Sequence, residues 1–272
     1  MINLPIGSIF DILVKWLSNN ADSLFDFFSS IIGIIIINVE GLLLVIPPLL
    51  FIIILAALAW YLEGRNLLIF TVVGFMIILS MDLWSETMET LAMVLSSGVV
   101  TLSLGIPLGI LAAKKDLFDK IIRPVLDFMQ TMPSFVYLIP AVIFFGMGMV
   151  PGVIATVIFS MPPVIRLTNL GLRQVDKEVI EAARSFGSTG KQILLKVQLP
   201  LAIPTIMAGI NQAIMLSLSM VVISSMIGAG GLGGIVLRGI TQLKIGMGFE
   251  GGLGVVILAI FLDRITQSFT SE

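Results

Sequence analysis

The sequence predicts an all-α polytopic membrane protein of about seven spans (six to eight), preceded by an amphipathic helix at the membrane surface. Three observations carry this prediction. Of 272 residues, 57% are hydrophobic and only 12% charged, about half the charged share of a soluble domain, and mean hydropathy is +1.11. Apolar runs recur at lengths suited to spans of about 20 residues. The charges gather in the connections, and no Asp, Glu, Lys or Arg lies near the middle of a predicted span.

Cysteine and histidine are absent, which removes disulfides, thiolate nucleophiles, zinc clusters and an imidazole base. No nucleophile–base constellation, metal cluster or GK[ST] nucleotide loop is present, so no catalytic residue, metal or cofactor is expected in this chain. A nucleic-acid partner is not expected either. The start has no basic stretch before its apolar residues and does not read as a cleaved signal peptide.

Residues 1–40 form the first unit. Ile9, Phe10, Leu13, Val14, Trp16 and Leu17 alternate with Asp11, Lys15, Asn19 and Asn20, and Leu24, Phe25, Phe27 and Phe28 follow. That spacing suits a helix lying in the interface. The apolar run 31–37 extends it until Asn38 and Glu40; a short span or re-entrant piece is the alternative. Two peripheral spans occupy the second unit, 41–81. The first, 42–62, has Pro47-Pro48 near its start and Trp60-Tyr61 as an interfacial anchor. The second, 67–81, follows a polar turn.

The core unit, 82–268, opens with an acidic connection, Asp82, Glu86 and Glu89, before a span at 90–113. Small residues there, Gly98, Ser103, Gly105 and Gly109, suit close helix packing. Spans at 133–148, 152–167, 202–227 and 252–265 complete the set. Met129, Met132, Met147 and Met149 surround the fourth, as core filling or as a soft gate.

Two connections are unusual. In 175–200 a helix runs through Ala182, Ala183 and Phe186, breaks at 187–190, resumes at 191–198 and is closed by Pro200. It is either a solvated loop whose charge fixes topology or a docking surface for a partner. Placing it in the cytoplasm puts 12 of the 15 basic residues on or near that side, as the positive-inside bias requires. The C-terminus then faces in and the N-terminus out. In 227–250, on the outer side, Gly228, Gly230, Gly231, Gly233 and Gly234 make either a flexible or tightly packed loop, or a rim for a delivering protein.

Glu181-Ala182-Ala183, then Gly187, then Leu199-Pro200 resembles the loop motif of binding-protein-dependent ABC importer permeases, with Val197 where isoleucine is usual. The stretches 128–137, 226–250 and 258–267 are similar to the glycine betaine/proline betaine (quaternary amine) permeases of that superfamily. The resemblance covers roughly residues 80–268 and is weaker upstream. It implies a type I importer fold in the cell membrane: two copies of this chain, two cytoplasmic ATP-binding subunits that hold ATP and magnesium, and an extracytoplasmic substrate-binding protein. By that likeness Glu181–Gly187 forms the coupling helix, with Glu181 and Ala182 in contact with the ATPase, Gly187 as its turn and Pro200 as the restart of the next span. The sequence ends three residues after Phe269, so the receptor is expected as a separate chain. The implied solutes, quaternary-amine osmoprotectants, need aromatic faces for the cation, chiefly in the receptor. Candidates to line the membrane path are Met132, Ser134, Phe135 and Tyr137, with Asn211, Met215 and Ser219 spaced i, i+4, i+8 on the sixth span. The latter stripe serves either the path or interhelical hydrogen bonding. A permease of the same architecture for another small solute, such as an amino acid, is the second reading. A stand-alone channel or ion-coupled carrier, needing neither ATPase nor receptor, is the third.

Overall fold

Backbone amides in hydrocarbon must be satisfied within their own segment, and among the described residues every regular element is helical. The computed structural model describes residues 6–268. Residues 1–5 of the predicted interfacial unit, and the end beyond Ser268 on which the expectation of a separate receptor rests, lie outside the described residues.

A short helix α1 (Ile6–Asn20) leads into α2 (Asp22–Val45). The structure corrects the sequence reading here. α2 is one 24-residue helix whose most apolar 18-residue stretch has a mean hydropathy of 2.2, long and apolar enough to cross a membrane, which favours the short-span alternative over an interfacial helix through residue 40. Asn38 does not interrupt it, because its amide donates to the Ile34 carbonyl one turn back, at 2.7 Å. Pro47 and Pro48 then start α3 (Pro48–Glu63), with proline at a first-turn position where its missing N–H costs nothing. A single residue, Gly64, joins α3 to α4 (Arg65–Ser80). The two form a helical hairpin whose arms are each about 24 Å long. It leans on the last helix of the chain, with Phe75 edge-on to Phe261 at 5.2 Å.

The expected acidic connection shrinks to a turn at 81–83. Glu86 and Glu89 already belong to α5 (Trp84–Lys114). α6 (Asp116–Thr131) follows, then a 3-10 turn (Ser134–Tyr137) and α7 (Leu138–Phe145). The predicted fourth span, 133–148, is shorter than expected: its helical part is Ser134–Phe145, and it meets α6 at a 106° bend just before it. α6 carries Asp116, Asp119, Lys120, Arg123 and Asp127 along its length, so it lies outside the hydrocarbon, across the end of the bundle.

α8 (Met149–Arg173) is the axis of the bundle. It packs most extensively against α11 (Leu199–Ser224) and against α5. The approach is set by missing side chains: a Cβ on Gly109 would fall 2.5 Å from Thr168 Cβ, and one on Gly209 would fall 3.1 Å from the Pro163 carbonyl oxygen. Gly105 likewise faces Val164, whereas Gly98 has no neighbour within 4 Å and takes no part in this packing. Buried Thr101 and Ser160 meet at 3.1 Å between α5 and α8.

Between α8 and α11 lie α9 (Lys177–Ser185) and α10 (Gly190–Ile193), the latter passing through a π-type turn (Leu194–Gln198) straight into α11. The span from Gly190 to Ile227 is continuous, so Pro200 does not restart a helix as expected. Pro200 sits in the first turn of α11. In all, α2, α5, α8, this long helix and α13 (Ile245–Ser268) are long and apolar enough to cross, with a sixth crossing if the bent α6–α7 pair is one span.

The glycine-rich connection is not a loop. After a 3-10 turn (Ser225–Ile227) the chain forms α12 (Gly231–Thr241), which packs tightly on α13. Gly228 and Gly230 make the turn before it, Gly233 lies flat against Val222 of α11, and Gly234 alone faces open space. The α12 N-terminus is held from α5: Gly231 N–H donates to the Glu89 carboxylate at 2.8 Å and Leu232 N–H to Thr90 Oγ1 at 2.9 Å. A carboxylate at a helix N-terminus meets both unpaired donors and the positive end of the dipole. Gly231 has φ +64 and no room for a Cβ, which would lie 2.5 Å from Thr90 Oγ1. Replacing Glu89 by Ala should cost about 1–2 kcal/mol and loosen α12. The checks are a lower thermal midpoint in detergent and faster amide exchange at 231–234, with Glu89→Gln losing less.

Candidate functional site

The sequence-predicted docking segment stands off the bundle. None of the residues of α9 is buried. Glu181 and Ala182 are exposed, Ala183 is half-buried, and Phe186, which the site prediction did not include, is 91% exposed. The helix ends in a Schellman arrangement: Gly187 N–H donates to the Arg184 carbonyl at 2.9 Å and Ser188 N–H to the Ala183 carbonyl at 3.1 Å. This requires the left-handed backbone of Gly187, φ +78, which only glycine adopts freely. Thr189 then caps the next helix, with Gln192 Oε1 accepting from the Thr189 N–H at 2.8 Å and Thr189 Oγ1 accepting from Gln192 N–H at 3.4 Å. That is a capping box. Leu199 is half-buried and Pro200 exposed; both belong to the long helix rather than to α9. An exposed, doubly terminated helix with an aromatic at its tip is a rigid knob. The spacing of charge and glycine made the segment legible; the exposure of Phe186 was not, because an apolar residue beside Ala183 reads equally as the packed side.

Next to the knob, a polar clamp ties α6 to the end of α8. Asp119, 6% exposed, accepts from Arg123 Nε at 3.0 Å and Asn169 Nδ2 at 2.7 Å. Arg173 donates to Asn169 Oδ1 at 2.8 Å, to the Ala112 carbonyl at 2.9 Å and to Asp116 at 2.7 Å. Three helices, α5, α6 and α8, are thus joined through two side chains. Burial pushes the Asp119 carboxyl up, but the hydrogen bond and charge of Arg123, the Asn169 amide and the Arg173 charge together outweigh it and hold the group below the ordinary aspartate value.

The candidates for a membrane path separate. Tyr137 is buried, with its hydroxyl donating to the Met129 carbonyl at 2.7 Å, and it packs in a closed cluster with Met220, Leu138 and Ala155. Met132 lies half-buried against that cluster, Ser134 is half-buried and Phe135 points outward. Asn211 turns the other way: its Nδ2 donates to Asp263 at 3.0 Å and its Oδ1 accepts from Thr266 at 2.6 Å. It is an interhelical tie between α11 and α13. Met215 and Ser219 remain exposed on α11. Steps of four residues drift about 40° per step round a helix, which is why Asn211 leaves the face that Met215 and Ser219 share.

Comparison with known proteins now bears on this geometry. The family model for the binding-protein-dependent transport system inner membrane component matches residues 105–270. The chain is 51% identical over 273 residues to the glycine betaine/carnitine transport permease protein GbuB of Listeria monocytogenes, covering 99% of this chain and 96% of that one. It is 49% identical over 265 residues to the glycine betaine transport system permease protein OpuAB of Bacillus subtilis, covering 97% and 94%. Among solved structures, an inward-facing conformation of the MetNI methionine ABC transporter is similar at TM-score 0.61 and 24% identity, over 69% of this chain and 96% of that one. That likeness is one of fold.

Two outcomes follow from the knob and the clamp. A Cβ at Gly187 meets nothing within 4 Å, so Gly187→Val acts through the backbone alone. It should cost about 1–2 kcal/mol locally, raising amide exchange across 183–188 while the global thermal midpoint holds; Gly187→Asn should be milder. For Asp119, a folded value below 3.8 means that its contribution is complete above that pH and is lost as pH falls through the folded value. Acid titration of the thermal midpoint should therefore fall more steeply below pH 3.8 in the native protein than in Asp119→Asn.

Proposed function

Because the chain belongs to the family of binding-protein-dependent transport system inner membrane components, we propose that it is the permease subunit of an ATP-driven importer for glycine betaine, proline betaine or a related quaternary-amine osmoprotectant. Near full-length identity to betaine permeases supports the substrate class. The observation that carries the mechanism is the exposed knob: a helix with no buried residue, closed by a glycine turn and tipped by Phe186.

In this reading two copies of the chain sit side by side, each knob seated in a groove of a cytoplasmic ATP-binding subunit. ATP and magnesium belong to those subunits, and a separate receptor delivers solute on the outer side. Phe186 supplies the buried aromatic anchor of the contact, Glu181 its polar rim and Ala182 its close approach. Closure of the ATPases over ATP draws the two knobs together. The displacement enters α11 without a joint, because Gly190–Ile227 is one helix, about 57 Å long. The clamp at Asp119 and Arg173 moves α6 and the end of α8 with it. A small shift at the base thereby becomes a tilt of packed helices between two arrangements.

Orientation follows from charge. With the knob cytoplasmic, Lys114, Lys115, Lys120, Arg123, Arg166 and Arg173 share its side. A crossing by α2 returns the segment before it to the cytoplasm as well, so Lys15 joins them. The N-terminal segment then faces in, opposite to the sequence expectation.

The test is ATP-driven uptake of radiolabelled glycine betaine into vesicles holding this chain, its ATPase and its receptor. Phe186→Ala should reduce uptake at least tenfold and weaken ATPase association, with the membrane subunit still folded; a loss of about 2 kcal/mol is typical of an interface anchor. Uptake that persists without ATPase or receptor would refute the importer reading. Transport of another solute with betaine inert would keep the machine and discard the substrate.

A further inference from the structure

We infer that Gln212 lines a water-filled path between two copies of the chain and hydrogen-bonds the carboxylate of the passing solute. This rests on the importer reading and assigns a residue that the sequence reading passed over in favour of Asn211. Gln212 lies within α11, next to Asn211, which bonds Asp263 and Thr266 in the last turns of α13. Its side chain is exposed and has no hydrogen-bond partner among the described residues. An amide left unpaired in hydrocarbon is costly, so this position faces water, solute or protein rather than acyl chains.

The rest of the face agrees. Gln212 shares it, at i−4, i+3 and i+7, with Ala208, Met215 and Ser219, all exposed. Exposed positions on α3 are of another kind, Leu49, Ile53 and Leu58, as a lipid-facing surface requires. The neighbouring amide cannot serve: Asn211 is committed to Asp263 and Thr266. Gln212 is thus the free amide on the face, with a donor for a carboxylate and no charge to trap it. A soft flank of Met215 suits the methyl groups of a quaternary ammonium. The arrangement binds weakly and at one end, which lets a solute pass without being retained.

The chain contains no cysteine, so Gln212→Cys and Ile53→Cys each place a single thiol in it. Both complexes are reconstituted with ATPase and receptor and treated with a charged, membrane-impermeant thiosulfonate, with labelling read by mass on this chain. Gln212→Cys should label at least about tenfold faster than Ile53→Cys. Gln212→Leu should lower betaine uptake about tenfold, the loss of roughly one net hydrogen bond to a charged group, at an unchanged thermal midpoint, and Gln212→Asn should restore part of it. Labelling as slow as at Ile53, or uptake by Gln212→Leu equal to the native rate, would overturn the inference. So would rapid oxidative cross-linking of the introduced thiols between copies without labelling, which marks a dry contact. If the native complex takes up no betaine, the substrate reading and the carboxylate contact both fall, whereas the labelling decides the path by itself.

Discussion

Helices in a bilayer gain little from hiding apolar surface from one another, because lipid is as apolar as leucine; association depends on how closely they approach. In this chain that constraint is met round α8. Gly105 and Gly109 on α5 face Val164 and Thr168 at distances that leave no room for a methyl group, and Gly209 on α11 and Gly171 on α8 itself meet their neighbours so closely that a methyl group would have to push them aside. Everything else hangs from this three-helix contact: the α3–α4 hairpin on α13, α12 wedged between α5 and α13, and the knob suspended between the ends of α8 and α11. α8 contains Pro162 and Pro163, both buried, and stays one helix against the packed faces of α5 and α11.

Polar groups are spent at the boundaries of that contact. Glu89 closes the start of α12, Asp119 and Arg173 gather three helices at the other end, and Asn211 ties α11 to α13. Each joins elements distant in sequence by hydrogen bonds whose alternative, inside the bundle, is an unsatisfied polar atom. The bundle is therefore stiff laterally but presents one helix, α9, that is bound to it only through its ends. Such an arrangement fits the coupling role proposed for α9.

Membrane insertion, the helical class, most of the long core helices and the break of the helix at 187–190 were legible in the sequence, because hydropathy, charge segregation and glycine placement are local signals. What was not legible depends on partners far along the chain. Asn38 and Glu40 read as an interruption only while the i−4 bond of Asn38 within α2 is invisible. Glycines at 228–234 read as a loop until Glu89, over a hundred positions earlier, is seen to accept from the first amide of α12. Asn211 and Tyr137 carried the right polarity for a path, yet both are consumed by bonds to Asp263 and Met129, and no spacing rule reveals that. The bend after α6 was hidden for another reason: Pro133 marks a break, but its angle is set by packing.

The π-type turn at Leu194–Gln198 has a consequence for how this chain tolerates change in length. Such a turn accommodates one residue more than an α-helix holds over the same rise. Deleting that residue would let the turn close as ordinary α-helix with little change of phase beyond it. Deleting one from the α-helical stretch before Gly209 would instead rotate everything beyond the cut by about 100° relative to α9, swinging Gln212 away from its present exposure and taking Gly209 away from Leu167. The turn is slack in the residue count: it absorbs a change of one where the rest of the long helix does not.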